Sequence, residues 1–99
     1  MKKTSSIIQT AKETILIESN AIANLAKLID ADFEEAVKFI LNSNGRVIVT
    51  GIGKSANIAT KIVATLNSTG TPAIFMHAAD AIHGDLGNVQ KEDVVICIS

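Results

Sequence analysis

The chain has 99 residues, 47% of them hydrophobic, enough for one modest domain with a packed core. Nine basic against ten acidic residues leave a formal net charge of −1, and aromatics amount to 3% with neither Trp nor Tyr. The missing basic excess and stacking rings argue against a nucleic-acid partner. The absence of a long apolar run or a signal-like start in Met1–Ser6 argues against a membrane or secreted protein, so a soluble cytoplasmic one is expected.

Residues 5–30 read as one long helix. Ile8, Ala11, Ile15, Ile22, Leu25 and Ile29 recur at helical spacing, and Ile7, Leu16, Ile17, Ala26 and Leu28 widen the apolar stripe. A helix apolar over so much of its girth calls for burial against several elements or against a partner subunit. Asp30-Ala31-Asp32 breaks the pattern. Asp32 is expected to cap a second helix, with Glu35 completing a capping box and Phe33, Ala36, Val37, Ile40 and Leu41 forming the buried face. Asn42-Ser43-Asn44-Gly45 ends this helix, with Gly45 expected in the left-handed conformation. The first 45 residues therefore form a helical segment, distinct from residues 46–99.

The grammar changes at Val47-Ile48-Val49, a β-branched run that suits a strand covered on both faces. Gly51-Ile52-Gly53-Lys54-Ser55 follows, then a helix to Ser68 burying Ile58, Ala59, Ile62, Val63 and Leu66. Ser68-Thr69-Gly70 and Pro72 close that helix before a second strand at Ala73–Met76. After a polar stretch, a third strand runs through Val94–Ile98 and carries the lone cysteine, Cys97, expected as a small core residue. Strand, helix, strand, connection, strand predicts an α/β fold with a parallel sheet. Three strands are few, and the third ends at Ser99 with nothing to cover it, so a truncated domain is expected.

Two loops carry chemistry. Gly51 and Gly53 let the backbone approach a ligand, the helix start offers free N–H groups, Lys54 adds a cation and Ser55 a hydroxyl. The combination suits a phosphate or a developing oxyanion; the plain alternative is a tight strand-to-helix corner. Gly51, Gly53 and Ala56 also match a dinucleotide fingerprint, but the acid it needs at the end of the second strand is missing. A Walker loop fails because Ile48 stands where its first glycine belongs. The second loop holds His77, Asp80, His83 and Asp85 between two strands, at the edge where open α/β sheets bind ligands. Asp85 is expected to cap the turn around Gly84 and Gly87, and His77 with Asp80 offers at most an adventitious zinc site.

Val47–Ser55, Leu66–Pro72, His83–Gly87 and Asp93–Ser99, in that order, resemble the SIS (sugar isomerase) domain of bacterial D-arabinose-5-phosphate isomerases. The resemblance implies a three-layer α/β/α sandwich with a parallel sheet, preceded by two N-terminal helices. It implies interconversion of D-ribulose 5-phosphate and D-arabinose 5-phosphate by a cofactor-free homotetramer, feeding the Kdo sugar of lipopolysaccharide and capsules. By position it implies a catalytic Lys54, substrate contacts at Gly53, Ser55, Gly70, Thr71, His77 and His83, and inhibitory zinc at His77. Asp80 replaces the family's usual glutamate. The family's Ser-rich phosphate loop, later glutamates and later histidine have no counterpart in these residues, so the 99 residues alone are expected to be inactive. The competing expectations are a non-catalytic SIS module sensing a sugar phosphate or a Kdo-related ligand, and a hexulose-phosphate isomerase.

Overall fold

The computed structural model describes residues 4–99. Backbone contacts divide the chain after Val37 into two compact units.

The first unit is helical. Helix α1 spans Thr4–Leu25 and tightens into a 3-10 turn at Ala26–Leu28, after which Ile29 is extended. The single helix expected over 5–30 therefore stops early, and the chain re-aims before helix α2, Ala31–Leu41, begins. Asp30 caps α2, not Asp32: its Oδ1 accepts from the N–H groups of Asp32 at 3.1 Å and Phe33 at 3.2 Å. These are the second and third donors of the helix, the ones an N-cap side chain reaches. The apolar stripe of α1 is exposed, with Ile15 at 66% and Ile22 at 68%. In α2, Phe33, Val37 and Leu41 are also exposed, against the expectation of a buried face.

The second unit holds a parallel sheet of three strands in the order β2-β1-β3: β1 is Val47–Gly51, β2 Ala73–His77 and β3 Val94–Cys97. Every residue of β1 is buried, as its unbroken β-branched run requires of a central strand. Val47, Val49 and Ala73 share a face and pack with Ala59 of helix α3, Lys54–Ser68. Ile40, Ile62, Val63, Leu66, Phe75 and Ile96 complete that side. Ile58 turns away from it and is exposed, contrary to its expected burial. Small Ala56 and Ala59 are the fully covered positions of α3, which lets the helix lie close to the strands. Cys97 is exposed rather than buried: among the described residues β3 pairs with β1 alone and alternates half-buried with exposed positions. The polar stretch after β2 is ordered into a short helix α4, Ala78–Ile82, and a 3-10 turn, Asp85–Asn88.

The amino edge of this sheet is fastened by polar side chains. Arg46 Nη2 meets Asp93 Oδ2 at 2.9 Å, and the Arg46 backbone N–H donates to Asp93 Oδ1 at 2.9 Å. Ser43 Oγ donates to the Glu92 carbonyl, and Asn67 brackets Ala73 with one donated and one accepted bond. Gly45 is not left-handed. It is needed because a Cβ there would lie 2.3 Å from the Glu92 carbonyl oxygen.

Candidate functional site

β1 ends at Gly51, and the chain turns through Ile52 and Gly53 into α3. A Cβ on Gly51 would sit 3.0 Å from the backbone of Ser55, so glycine permits the first turn of α3 to fold back over the strand end. Gly53 has φ 61° and ψ −130°, a region open to glycine and costly for other residues. No side chain caps α3, which leaves its amino end to the backbone. Lys54, the first residue of α3, is exposed, and Ser55 is half-buried. An exposed cation and a hydroxyl beside uncapped N–H groups favour a negatively charged group there.

His77 is brought to this corner by the sheet itself: it pairs with Gly51 in the β1–β2 register. Its ring stands edge-on to Phe75, with centroids 6.1 Å apart and planes at 85°. Nδ1 accepts from the Ala79 N–H at 3.1 Å, which makes His77 the cap of α4. An accepting Nδ1 in a neutral imidazole places the proton on Nε2, so the free edge of the ring is a donor. A metal would have to displace either that proton or the Ala79 bond. Among the described residues, no three His, Cys, Asp or Glu side chains gather as a metal site.

A hollow of about 140 Å³ lies under the second loop, lined by Ile48, Ile74, Met76, His77, Asp80, Asp85 and Asn88 among others. Asp85 belongs to this lining and does not cap the turn: it is the turn's first residue, and the cap position is Gly84, φ 123°, with no side-chain cap. His83 closes α4 and is exposed. Gly70, φ 93°, and Thr71 precede β2 and line a separate hollow of about 180 Å³ with Ser43, Gly45 and Pro72. That is the amino edge of the sheet, one strand length of roughly 16 Å from His77. The structure therefore brings Gly53, Lys54, Ser55 and His77 to one edge and leaves Gly70 and Thr71 at the other.

One feature escapes sequence reasoning. Thr50 Oγ1, at the carboxyl end of β1, is buried without a hydrogen-bond partner among the described residues. A polar residue in an otherwise apolar strand, one place before the glycine loop, is the signal that could have found it.

Uncapped helix, glycine corner and histidine stand together at the carboxyl ends of parallel strands, the edge at which open α/β sheets bind their ligands. Residues 40–99 match the SIS domain model, and the chain belongs to that family. It is 45% identical over 93 residues to arabinose 5-phosphate isomerase GutQ of Shigella flexneri, covering 94% of this chain and 29% of that protein. It is 44% identical over 99 residues to arabinose 5-phosphate isomerase KdsD of Pseudomonas aeruginosa, covering all of this chain and 30% of that protein. The solved structure of Escherichia coli CFT073 c3406 in complex with arabinose 5-phosphate superposes with a TM-score of 0.91 at 39% identity, covering 99% of this chain and 52% of that one. The chain thus spans about three tenths of the length of these curated relatives.

Proposed function

We propose that this chain is part of an aldose–ketose isomerase that interconverts D-ribulose 5-phosphate and D-arabinose 5-phosphate. The observation that carries the reading is the corner of Gly51, Gly53, Lys54 and Ser55, whose Gly51 pairs with His77 in the β1–β2 register. The names of its relatives, and the arabinose 5-phosphate complex of a structural neighbour, support that substrate class.

Such an isomerisation moves a proton between the two carbons that share the carbonyl, through an enediolate. Lys54 supplies a cation for the oxygen on which charge develops, and the α3 amino end with Ser55 holds an anionic oxygen. His77, with its proton on Nε2, donates to a sugar oxygen, and His83 is a second substrate contact. Gly70 and Thr71 fit such a contact less directly, since they lie at the other edge of the sheet. The acid–base pair is not assigned to any of these residues. Residues 46–99 form the first part of the SIS domain in this reading, and the product feeds Kdo for lipopolysaccharide or capsule in the cytoplasm. The exposed apolar stripe of α1 supports a homo-oligomer, a tetramer by the family's pattern. Among the described residues, no helix is long and apolar enough to cross a membrane.

The test is conversion of ribulose 5-phosphate by the intact protein, with Lys54→Ala alongside. The substitution is expected to lower kcat by about 100-fold or more while leaving the melting temperature unchanged, since Lys54 is exposed. A wild-type protein with no turnover of pentulose phosphates would falsify the reading.

A further inference from the structure

The segment from His83 to Gln90 must return from the carboxyl edge of β2 to the amino edge of β3, and little holds it. Leu86 is 61% exposed, so no buried apolar side chain pins the turn. Its internal bonds are local, Gly87 N–H to Gly84 O and Val89 N–H to Leu86 O, both at 3.1 Å. Its upstream end hangs on α4, only five residues long, through His83 N–H to Asp80 O.

The downstream end is different. Arg46 Nη2 donates to the Asn88 carbonyl at 2.9 Å while the same guanidinium holds both carboxylate oxygens of Asp93, through Nη2 at 2.9 Å and Nε at 3.4 Å. Asp93 Oδ2 in turn accepts from the Gln90 N–H at 2.7 Å, and its side chain is 2% exposed. Arg46 itself is fixed by the β1–β3 ladder next to it, where Val94 N–H donates to its carbonyl at 2.9 Å. A planar fork with several donors serves both acceptors at once; a lysine ammonium has no such geometry.

We propose that Arg46 and Asp93 are positioning residues: together they hold the Asp85–Asn88 turn, and so place Asp85 in the hollow beside His77. The chemical half of this inference rests on the proposed isomerase reading; the mechanical half does not.

Arg46→Lys in the intact protein tests both halves, with Asp93→Asn as a second variant. Hydrogen exchange at the Gly87, Val89 and Gln90 amides is expected to speed up about tenfold. The amides of the β1–β2 ladder should keep their protection. In steady-state assays KM for ribulose 5-phosphate should rise about tenfold with kcat changed less than about twofold. Protection lost equally across the sheet would reduce the pair to a fold-stabilising bridge and overturn the proposal, as would unchanged exchange over 84–90. Loosening of the turn with kcat falling and KM constant would overturn its chemical half. If the wild type turns over no pentulose phosphate, the isomerase reading fails while the exchange measurement still decides the mechanical claim.

Discussion

The two edges of the sheet are built from similar residue types and treat them in opposite ways. At the amino edge, Ser43, Arg46, Asn67 and Asp93 all have close partners, most of them backbone groups. At the carboxyl edge, Lys54 and His83 are exposed, Asp85 lines a hollow, and no side chain caps α3. Polar groups with satisfied partners at buried or half-buried sites are engaged in holding the fold. Polar groups left open beside a helix start are available to a ligand. Two glycines, one at each edge, differ in role: Gly45 serves packing and Gly53 serves backbone conformation, and substitution separates them.

Gly45→Ala should have the largest effect. The new methyl would sit 2.3 Å from the Glu92 oxygen and 2.4 Å from its carbon, both backbone atoms that cannot swing aside. Relief requires moving the chain that carries Asp93, and a cost of about 3 kcal/mol or more is expected. Thermal unfolding measures it, and a melting temperature indistinguishable from wild type would mean that the two chains do not approach so closely. Gly53→Ala should cost less, about 1–3 kcal/mol, because nothing lies within 4 Å and only the positive φ opposes it. Its loss of activity should nevertheless exceed that of Gly45→Ala measured at a temperature where both are folded. The reverse order would place the functional edge at the wrong end of the sheet.

Much of this layout can be read from the residues, and the misreadings share a cause. The buried central strand, the glycine corner and α3 follow from local pattern: a β-branched run, two glycines and apolar residues at helical spacing. His77 beside Gly51 follows only from the strand register, which carries both strands further than their apolar runs, to Gly51 and His77. Strand order is not local information, so an apolar run alone puts Cys97 in the core, whereas among the described residues β3 pairs only with β1 and Cys97 is exposed. The cap at Asp30 instead of Asp32 depends on where the chain leaves the 3-10 turn, which two acids in three residues do not distinguish. Turn chemistry suggests a left-handed Gly45, when the reason for that glycine is the approach of a segment 47 residues later. The Arg46–Asp93 pair, likewise 47 positions apart, has no local signature at all.

That pair makes the amino edge sensitive to acid. The Arg46 guanidinium, with backbone N–H groups of Gln90 and Arg46, lowers the Asp93 carboxyl to about 2. A carboxyl depressed in the folded state binds its proton more readily when unfolded, so its contribution is complete above the ordinary carboxylate range. It is then lost as pH falls through that range towards about 2. Stability of the wild type should be level from neutral pH down to the ordinary carboxylate range and decline below it, followed by urea unfolding at a series of pH values. Asp93→Asn should be less stable at neutral pH and show a shallower acid decline. An identical decline in the variant would assign the acid sensitivity to other carboxylates and weaken the contrast between the edges.

The smallest effect is expected at Thr50, and its sign is the point. Its hydroxyl is buried at the carboxyl end of β1 with no partner among the described residues, and the residue is 8% exposed. An unsatisfied buried hydroxyl costs about 1–3 kcal/mol, and its replacement by a methyl of similar shape removes that cost. Thr50→Val should therefore leave stability unchanged or raise it by up to about 1 kcal/mol, read as an equal or higher urea midpoint. The opposite outcome, a loss of more than about 1 kcal/mol, is what removal of a satisfied hydrogen bond produces. It would mean that the carboxyl edge also invests its polar groups in the fold. A stable variant with reduced kcat would sharpen the comparison instead, because a hydroxyl that the fold does not need would then be one that the chemistry does.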